Sequence, residues 1–350
     1  MSIIQVSYGA NHLAILSANG KVLTCGSNQQ GQLGRITQEE INNPKFDYID
    51  DTNFQNLRVV KIASGYQHML ILLENGKVLS CGNNQQGQLG RNYENFTSIF
   101  NYVDDKNFRD IRVVDVICGR SASAIILENG KCLTCGDNSN GQLGHGEINK
   151  PIFNNINFLE TSIISVRNIV LGESHSILLL DNGKVFTCGS NQYGKLGIDI
   201  TGNSNISVFH KVTETNFQNN KVVKIACGSW HSAILLDNGD VLTCGSNRTG
   251  QLGREENYKT HKNNKIFEIS IYNIINLYCS WNNTFILTND NNILICGSNF
   301  GYLFKIFDEN LNNKLNGVAN IIDITFSSFN MAVLLDNGKV LTRDLITTDN

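Results

Sequence analysis

The sequence predicts an all-β fold, a seven-bladed β-propeller built from four-stranded antiparallel blades. Three observations predict it: a ten-residue string recurs along the chain, a hairpin-turn pair precedes each copy at a fixed distance, and seven such hairpins are present. Four short antiparallel strands in a unit of about fifty residues are typical of a propeller blade. Closure of seven blades into a ring removes the sheet edges that an open array would expose.

The recurring string begins at Cys25 and reads Cys-Gly-Ser-Asn-Gln-Gln-Gly-Gln-Leu-Gly. Related strings begin at Cys81, Cys135, Cys188 and Cys244, and an eroded one begins at Cys296. The distances between successive cysteines are 56, 54, 53, 56 and 52 residues. This regularity predicts one structural unit per copy.

An Asn-Gly pair lies six residues before each of the first five repeat cysteines, and the pairs are Asn19-Gly20, Asn75-Gly76, Asn129-Gly130, Asn182-Gly183 and Asn238-Gly239. The sixth copy has Asp290-Asn291 at this place. A seventh pair, Asn337-Gly338, precedes Arg343, which stands where the cysteine is expected. Asn-Gly between apolar runs is a strong hairpin signal, and it predicts a type I′ turn with positive φ at both residues.

Each unit therefore has two hairpin strands, a β-branched strand ahead of them, such as Val59 to Ile62, and a weaker fourth strand after Gly-Gln-Leu-Gly, such as Ile152-Phe153 or residues 208–212. Glycines such as Gly26, Gly31 and Gly34 are expected to supply positive φ at the blade corners. We predict one propeller domain over residues 1–350. Its hairpin cores lie near 3–34, 59–90, 113–144, 166–197, 222–253, 274–303 and 321–343.

The tail, residues 344–350, follows the last hairpin strand. The first copy begins at Ile3, so the fourth strand that normally precedes a unit is missing there. We predict that the tail adds a strand that helps to join the terminal blades. Its deletion should then lower the melting temperature markedly, and an unchanged melting temperature would contradict this role.

Composition narrows the functional classes. The net charge of −3 and the pI of 6.2 provide no basic excess for phosphate binding, so a nucleic-acid ligand is not expected. No basic segment followed by an apolar run opens the chain, and no apolar stretch is long enough to cross a membrane. Ten cysteines in 350 residues are too sparse for a disulfide scaffold. We expect an unsecreted monomer in a reducing compartment, the cytosol or the nucleus.

The repeats resemble those of the regulator-of-chromosome-condensation family. The shared pattern is Gly-x-x-His, then Asn-Gly-x-Val, then Trp or Cys followed by Gly-x-Asn-x-x-Gly-Gln-Leu-Gly, and it covers residues 3–343. This chain departs from the family by placing Cys where Trp is usual. The sixth and seventh copies have also lost the full Gly-Gln-Leu-Gly segment. The resemblance implies the propeller fold.

No residue set predicts catalysis, a cofactor or a metal site. The repeat histidines are His12, His68, His175 and His231. Because each has the same place in a different blade, they cannot converge on a ligand, and we expect structural hydrogen bonds. Cys132 and Cys135 form a Cys-x-x-Cys motif, but it lies on a predicted strand, where residues three apart face opposite ways. The glycine-rich segments lack the Gly-Lys-Ser/Thr of a phosphate loop.

We expect partner recognition at loop positions that recur in every copy but whose residue type differs between copies. The pair between the repeat Gly or Ser and the His position varies from copy to copy, and both tryptophans of the chain lie in this set. Since the pairs occupy the same loop of each blade, we expect them on one face of the disc. Large aromatic and arginine side chains are typical of binding hot spots. The predicted partner-binding face comprises Tyr66, Arg120, Glu173, Trp230, Trp281 and Phe329.

These observations favour a non-catalytic protein–protein interaction propeller. The resemblance also implies an alternative, a guanine-nucleotide exchange factor for a Ran-like small GTPase. In the Ran exchange factor the same loop positions carry acidic residues, whereas here only Glu173 is acidic. An enzyme-inhibiting propeller and a chromatin binder are further alternatives. The family's ultraviolet-B photoreceptor has a Trp-Arg loop pattern, which this chain lacks.

Overall fold

Short apolar runs bounded by glycine turns fold into antiparallel sheets in a computed structural model of the chain. The structure describes residues 2–38, 43–92, 95–146, 149–157, 165–198, 204–213, 217, 219–255, 273–306, 319–328 and 330–345. Within these residues there are seven sheets, and in each sheet the strands are hydrogen-bonded in chain order. The part of the chain described contains no helix that is long and apolar enough to span a membrane.

The first three sheets have four strands each. Sheet 1 consists of β1 Ile3–Tyr8, β2 His12–Ser17, β3 Val22–Gly26 and β4 Asn43–Tyr48. Sheet 2 consists of β5 Val59–Ser64, β6 His68–Leu73, β7 Val78–Asn83 and β8 Phe96–Tyr102. Sheet 3 consists of β9 Val113–Cys118, β10 Ala122–Leu127, β11 Cys132–Gly136 and β12 Lys150–Asn155. A short 3-10 turn, Thr52–Phe54, follows sheet 1.

The remaining sheets repeat this plan. Sheet 4 consists of β13 Val166–Leu171, β14 His175–Leu180, β15 Val185–Ser190 and β16 Asn205–Lys211, with a 3-10 turn at Gln192–Gly194. Sheet 5 consists of β17 Val222–Cys227, β18 His231–Leu236 and β19 Val241–Gly245. Sheet 6 consists of β20 Ile274–Ser280, β21 Asn283–Thr288, β22 Ile293–Gly297 and β23 Gly301–Ile306. Sheet 7 consists of β24 Ile321–Phe326, β25 Asn330–Leu335 and β26 Val340–Asp344.

The chain groups into two compact units. Unit 1 contains residues 1–138, 148–156 and 321–350 and holds sheets 1, 2, 3 and 7; unit 2 contains residues 139–147 and 157–320 and holds sheets 4, 5 and 6. The predicted fourth strands are present in five of the sheets within the described residues; β12 contains Ile152-Phe153, and β16 contains residues 208–211 of the segment predicted as 208–212. That residues 1–350 form one domain remains a prediction.

The second strand of each sheet is buried along most or all of its length. In unit 1, Leu16 of sheet 1 packs with Val59, Met69 and Phe100 of sheet 2 in one apolar cluster. In unit 2, residues of sheets 4 and 5, among them Leu179 and Val222, form a corresponding cluster. Apolar contact between successive sheets therefore forms the core within each unit, as a repeat architecture requires.

The two ends of the described chain meet inside unit 1. Ile3, Val6 and Ile15 of sheet 1 pack against Leu334 of sheet 7. Sheets 1 and 7 are thus joined by side-chain packing. The tail prediction is not decided by this contact, because residues 346–350 lie outside the described residues.

The hairpin turns occur where predicted, but their type was predicted wrongly. Gly20 has φ of 82°, whereas Asn19 does not have positive φ, and Gly20 N donates to Ser17 O at 2.8 Å. This is a type I turn that ends in a glycine bulge rather than a type I′ turn. Asparagine is favoured because its side chain accepts from the backbone two residues on, as Asn75 Oδ1 does from Lys77 N at 3.0 Å. In sheet 6, Asn291 takes the glycine place with φ of 60°.

The corner glycines have the predicted backbone conformation, with φ of 109°, 78° and 65° at Gly26, Gly31 and Gly34. At Gly31 the neighbouring sheet also excludes a side chain, because a Cβ atom there would lie 2.4 Å from the Thr97 carbonyl oxygen. Glycine at this corner therefore satisfies both the backbone and the packing between sheets.

Candidate partner-binding loops

Two loops lie at the same end of each of the first six sheets. The first loop contains the variable pair before the His position, and the second loop follows the Cys-Gly dipeptide at the end of the third strand. Six sheets join the two loops by a backbone hydrogen bond of 2.8–3.0 Å, whose donor and acceptor residues are Ser27 and Asn11, Asn83 and Gln67, Asp137 and Ser121, Ser190 and Ser174, Ser246 and Trp230, and Ser298 and Asn282. The residues of both loops thus form one surface at that end of each sheet.

First loops of neighbouring sheets lie side by side within each unit. In unit 1, Ala10 N donates to Tyr66 O and Tyr66 N donates to Arg120 O, both at 3.2 Å. In unit 2, Ser229 N donates to Trp281 O at 2.9 Å. The variable pairs of successive sheets are therefore adjacent, as the repeat pattern predicts for each unit.

The glycine that opens a first loop is required by close packing. A Cβ atom on Gly65 would lie 2.1 Å from His68 Cε1 and 2.6 Å from the Gly119 carbonyl oxygen of the next sheet. Where asparagine replaces the histidine, at Asn283 and Asn330, serine replaces the glycine. The Gly-x-x-His pattern is thus explained by packing, because the glycine lies against the histidine ring and against the first loop of the next sheet.

Three repeat histidines make the structural hydrogen bonds that were expected. The Nε2 atoms of His68, His175 and His231 lie 2.9 Å from hydroxyl oxygens of the following sheet, those of Ser123, Ser232 and Thr284. Ser123 Oγ in turn donates to Gln88 O at 2.7 Å. Because the hydroxyl proton is used there, the His68 Nε2–H group is the donor to Ser123. These histidines join sheets rather than converge on a ligand.

His12 is the exception in this series. Its ring nitrogens have no hydrogen-bond partner, and Met69 stands at the position where sheets 3, 5 and 6 have a hydroxyl. Burial lowers the pKa of His12 to about 4 and that of His68 to about 3. Both rings are therefore neutral at physiological pH.

The repeat cysteines are buried or half-buried free thiols. Burial raises the pKa of Cys118, Cys244 and Cys279 to about 12, so none of the three is a thiolate at neutral pH. Among the described residues, no group of three His, Cys, Asp or Glu side chains converges in a way that could hold a metal ion.

In unit 1 the first loops bring two predicted site residues into contact. The Arg120 guanidinium carbon lies 5.2 Å from the centroid of the Tyr66 ring. Tyr66 is half-buried and Arg120 is exposed, so the cation covers the ring from the solvent side. Contacts of this kind at exposed sites stabilise by about 0.5–1 kcal/mol.

In unit 2 an alternating series of cations and aromatic rings combines both loop types. Arg248 lies 4.9 Å from the centroid of Tyr193, Tyr193 meets Trp230 edge to face at 6.1 Å, and Lys195 Nζ lies 4.7 Å from the centroid of Trp230. We call these four residues the cation–aromatic stack. Arg248 is exposed, the two rings are half-buried, and Lys195 is fully buried. The stack thus extends from the surface into the interior of unit 2.

Lys195 has an unusual environment for a lysine. Its side chain is 0% exposed, and Nζ donates to Ser174 Oγ at 2.6 Å and to Ser229 O at 3.4 Å. No carboxylate among the described residues forms an ion pair with it. Burial lowers the pKa of Lys195 to about 8. Among the described residues, two hydrogen-bond acceptors and the face of the Trp230 ring stabilise its charge.

The remaining predicted site residues have different surroundings. Trp281 is 40% exposed in the first loop of sheet 6, next to the first loop of sheet 5. Glu173 is half-buried and precedes Ser174, the hydrogen-bond partner of Lys195. Phe329 lies outside the described residues. The structure thus pairs Tyr66 with Arg120 in unit 1 and places Trp230 beside the Trp281 loop in unit 2.

Sequence reasoning missed Tyr193, Lys195 and Arg248. All three lie in second loops, and Tyr193 and Arg248 occupy the variable pair of Cys-Gly-x-Asn-x-x-Gly. That pair is Gln29-Gln30, Gln85-Gln86, Ser139-Asn140, Gln192-Tyr193 and Arg248-Thr249 in the first five copies. This second pair also varies from copy to copy, so the argument used for the first loop would have identified Tyr193 and Arg248 as well. Lys195 could have been found because it replaces the glutamine that the other four copies have at this position.

Comparison with known proteins identifies the family. The RCC1-like domain matches residues 1–216, and a regulator of chromosome condensation (RCC1) repeat matches residues 222–251. The chain belongs to the RCC1-like domain family. RCC1-like repeats thus account for the Gly-x-x-His and Gly-Gln-Leu-Gly segments that build both loops, and the predicted family is confirmed.

Two curated relatives are longer than this chain. The probable E3 ubiquitin-protein ligase HERC6 of Homo sapiens is 31% identical over 72% of this chain and 24% of its own length. A secretion-regulating guanine nucleotide exchange factor of Bos taurus is 30% identical over 66% of this chain and 49% of its own length. The chain thus spans less than half the length of these relatives.

Solved structures establish the fold. Human WBSCR16 superposes with a TM-score of 0.82 at 21% identity, over 96% of this chain and 88% of that one. Yeast RCC1 (Prp20), solved with Kap60, superposes with a TM-score of 0.79 at 18% identity, over 93% of this chain and 78% of that one. The RCC1-like fold is a seven-bladed β-propeller, as predicted, and the seven sheets are its blades.

Proposed function

We propose that this chain is a non-catalytic protein-interaction propeller that binds a macromolecular partner through its first and second loops. The observation that carries the proposal is the cation–aromatic stack of unit 2, where the half-buried Trp230 ring is held by Tyr193 and Lys195. Of the predicted face, Glu173, Trp230 and Trp281 contribute first-loop residues in unit 2, and Tyr66 and Arg120 contribute first-loop residues in unit 1.

The physical support is the low cost of ordering these side chains. An aromatic ring that is already fixed loses little conformational freedom on binding, so its apolar area contributes more fully to affinity. Trp, Tyr and Arg are also the residues that dominate binding hot spots. Trp281 offers a second, more exposed ring beside the first loop of sheet 5.

Affinity capture with the Trp230→Ala/Trp281→Ala double variant tests the proposal. We expect partners that bind the wild type to be lost from this variant while its circular dichroism spectrum and melting profile show a folded protein. The matched control is Phe46→Ala/Tyr48→Ala, which removes two aromatic rings that are 40% and 50% exposed on β4. An identical partner set for both double variants would contradict the proposal.

The loop pair of unit 1 is tested separately with Tyr66→Ala/Arg120→Ala. If the predicted face contributes from both units, this variant loses the partners that the tryptophan variant loses. Retention of every partner would restrict the binding surface to unit 2.

A second candidate function is guanine-nucleotide exchange on a Ran-like small GTPase. It is supported by the similarity to a secretion-regulating guanine nucleotide exchange factor and by the structural likeness to yeast RCC1. Release of fluorescent GDP from Ran, measured with and without the protein, separates the two functions. An interaction scaffold leaves the release rate unchanged, whereas an exchange factor raises it.

We also propose that the protein acts in the cytosol or the nucleus, where the free thiols stay reduced. Microscopy of the tagged full-length protein tests this placement. A secreted or lumenal signal would contradict it.

A further inference from the structure

The second loops of four blades are closed by one repeated hydrogen bond. The glutamine of Gly-Gln-Leu-Gly accepts, through Oε1, from the backbone nitrogen two residues earlier. The donor and acceptor residues are Gln30 and Gln32, Gln86 and Gln88, Asn140 and Gln142, and Thr249 and Gln251, at 2.8–3.0 Å. This bond fixes the variable pair of the loop against its own backbone.

The fourth blade lacks this bond because Lys195 replaces the glutamine. An ammonium group has three donors and no acceptor, so it cannot accept from the Tyr193 nitrogen. Tyr193 adopts φ of 64°, whereas the corresponding residues Gln30, Gln86, Asn140 and Thr249 do not have positive φ. The exchange thus accompanies a different loop conformation, in which the Tyr193 ring contacts Trp230.

The ammonium group contacts two first loops instead. It donates to Ser174 Oγ in the first loop of sheet 4 and to Ser229 O in that of sheet 5, and it faces the ring of Trp230. A single buried side chain therefore joins both loops and supports the ring that the proposed function uses.

We propose that Lys195 is a positioning residue of the partner-binding loops, whose charge holds the Trp230 ring in its binding position and whose neutralisation releases the ring. This inference rests on the proposed function. It predicts that the environment of the Trp230 ring responds to the protonation state of Lys195, whose Nζ lies 4.7 Å from the ring centroid.

Three titratable groups near Lys195 stay neutral over the pH range in which Lys195 loses its charge. Burial keeps the pKa of His175 well below its ordinary value and that of Cys227 well above it, so both stay neutral from pH 6.5 to 10. The nearby Cys244 thiol, raised to a pKa of about 12, also stays neutral there. Lys195 has a pKa of about 8 and loses its charge inside this range.

Three other charged or titratable groups belong to the same loops. Arg248 places its guanidinium carbon 4.9 Å from the centroid of the Tyr193 ring. Glu173 precedes Ser174, and Tyr193 carries a phenol. The variants Glu173→Gln and Tyr193→Phe remove these two groups in turn.

Trp230 fluorescence provides the test. The chain has two tryptophans, so Trp281→Phe leaves Trp230 as the sole reporter. We would measure emission and quenching by iodide and by neutral acrylamide between pH 6.5 and 10. A cation beside the ring concentrates iodide, so we expect the ratio of iodide to acrylamide quenching to fall by about twofold as the pH passes 8.

Substitutions of Lys195 in the Trp281→Phe background complete the design. Lys195→Met and Lys195→Gln should abolish the transition, whereas Lys195→Arg should keep the low-pH ratio across the whole range. The transition should persist in the Glu173→Gln and Tyr193→Phe variants. Gln251→Met is the matched control, because it removes the corresponding side chain of the next blade and should leave the transition in place.

A pH-independent quenching ratio in the parent, or an equal transition in Lys195→Met, would overturn the proposal. Circular dichroism and melting profiles confirm that each variant is folded. The fluorescence test needs no partner, so its failure is distinct from failure of the capture experiment. In affinity capture, Lys195→Met should lose the partners that Trp230→Ala/Trp281→Ala loses, and Lys195→Arg should retain them; retention by Lys195→Met would count against a positioning role.

Discussion

The loop clusters of the two units use the same pair of chemical groups in opposite arrangements. In unit 1 the cation, Arg120, is exposed and covers Tyr66 from outside. In unit 2 the cation, Lys195, is fully buried and supports Trp230 from within. Sheet 2 keeps Gln88 at the position where sheet 4 has Lys195. The exchange of glutamine for lysine at this repeated position thus places a buried cation in unit 2 that sheet 2 does not have.

The two arrangements differ in their energetics. An exposed cation on a ring contributes little to stability and costs little to form. A buried ammonium without a carboxylate partner is costly, because protein dipoles replace only part of its hydration. A fold that keeps such a group carries a local penalty at the site where we place partner binding.

The largest expected effect tests what the two clusters share. Gly65→Ala in unit 1 and Gly228→Ala in unit 2 would each place a Cβ atom within about 2.2 Å of a histidine carbon, against the ring of His68 or His231. We expect each variant to lose about 3 kcal/mol or more of unfolding free energy, because ring and neighbouring loop must both shift. Urea denaturation of both variants measures this. A loss below about 1 kcal/mol in either would show that the loops are not tightly packed there.

The shared scaffold is the part that the sequence predicts well. Recurrence of Gly, His, Asn-Gly and Cys-Gly at fixed spacing locates every described sheet and both loops, since each element depends on neighbours close in the chain. The turn type was missed because Asn19 can cap its own turn without adopting positive φ. The stack was missed for another reason: the contact of Tyr193 with Trp230 joins loops of different blades, and spacing along the chain does not reveal it.

The second effect exploits the exchange between Gln88 and Lys195. Lys195→Met should stabilise the protein at pH 7 by about 3 kcal/mol, the equivalent of a pKa lowered from 10.5 to about 8. Gln88→Met should instead destabilise by about 1–2 kcal/mol, because it removes the hydrogen bonds to Gln86 and Asn83. Denaturant titrations of the wild type and both variants at pH 7 measure these changes. A Lys195→Met variant that is less stable than the wild type would contradict the prediction.

The pH dependence of that difference has a definite sign. The unfolded chain holds the Lys195 proton more tightly than the folded chain, so the charge destabilises the fold fully below pH 8. This penalty diminishes as the pH rises from 8 towards 10.5. The stability gap between Lys195→Met and the wild type should therefore narrow over this interval, and a gap that stays constant would exclude Lys195 as its source.

A smaller effect is expected at the hydroxyl groups that receive the histidine hydrogen bonds. Ser123→Ala leaves the Nε2–H group of His68 buried without an acceptor, and Ser232→Ala does the same to His175. We expect a loss of about 1–3 kcal/mol for each, of similar size because the two bonds are equally long. Thermal melts measure the losses, and a neutral Ser123→Ala variant would indicate that His68 resembles His12, which has no such partner.

The smallest effect concerns the exposed contact of unit 1. Arg120→Ala removes a cation that lies 5.2 Å from the Tyr66 centroid on the solvent side, where water replaces most of the lost attraction. We expect the unfolding free energy to change by less than about 0.5 kcal/mol, in contrast to the change at Lys195. Matched urea titrations of Arg120→Ala and Arg120→Lys measure this, since lysine keeps the charge. A loss above about 1 kcal/mol in the alanine variant alone would mean that the Arg120 cation stabilises its loop more than an exposed cation–ring contact does.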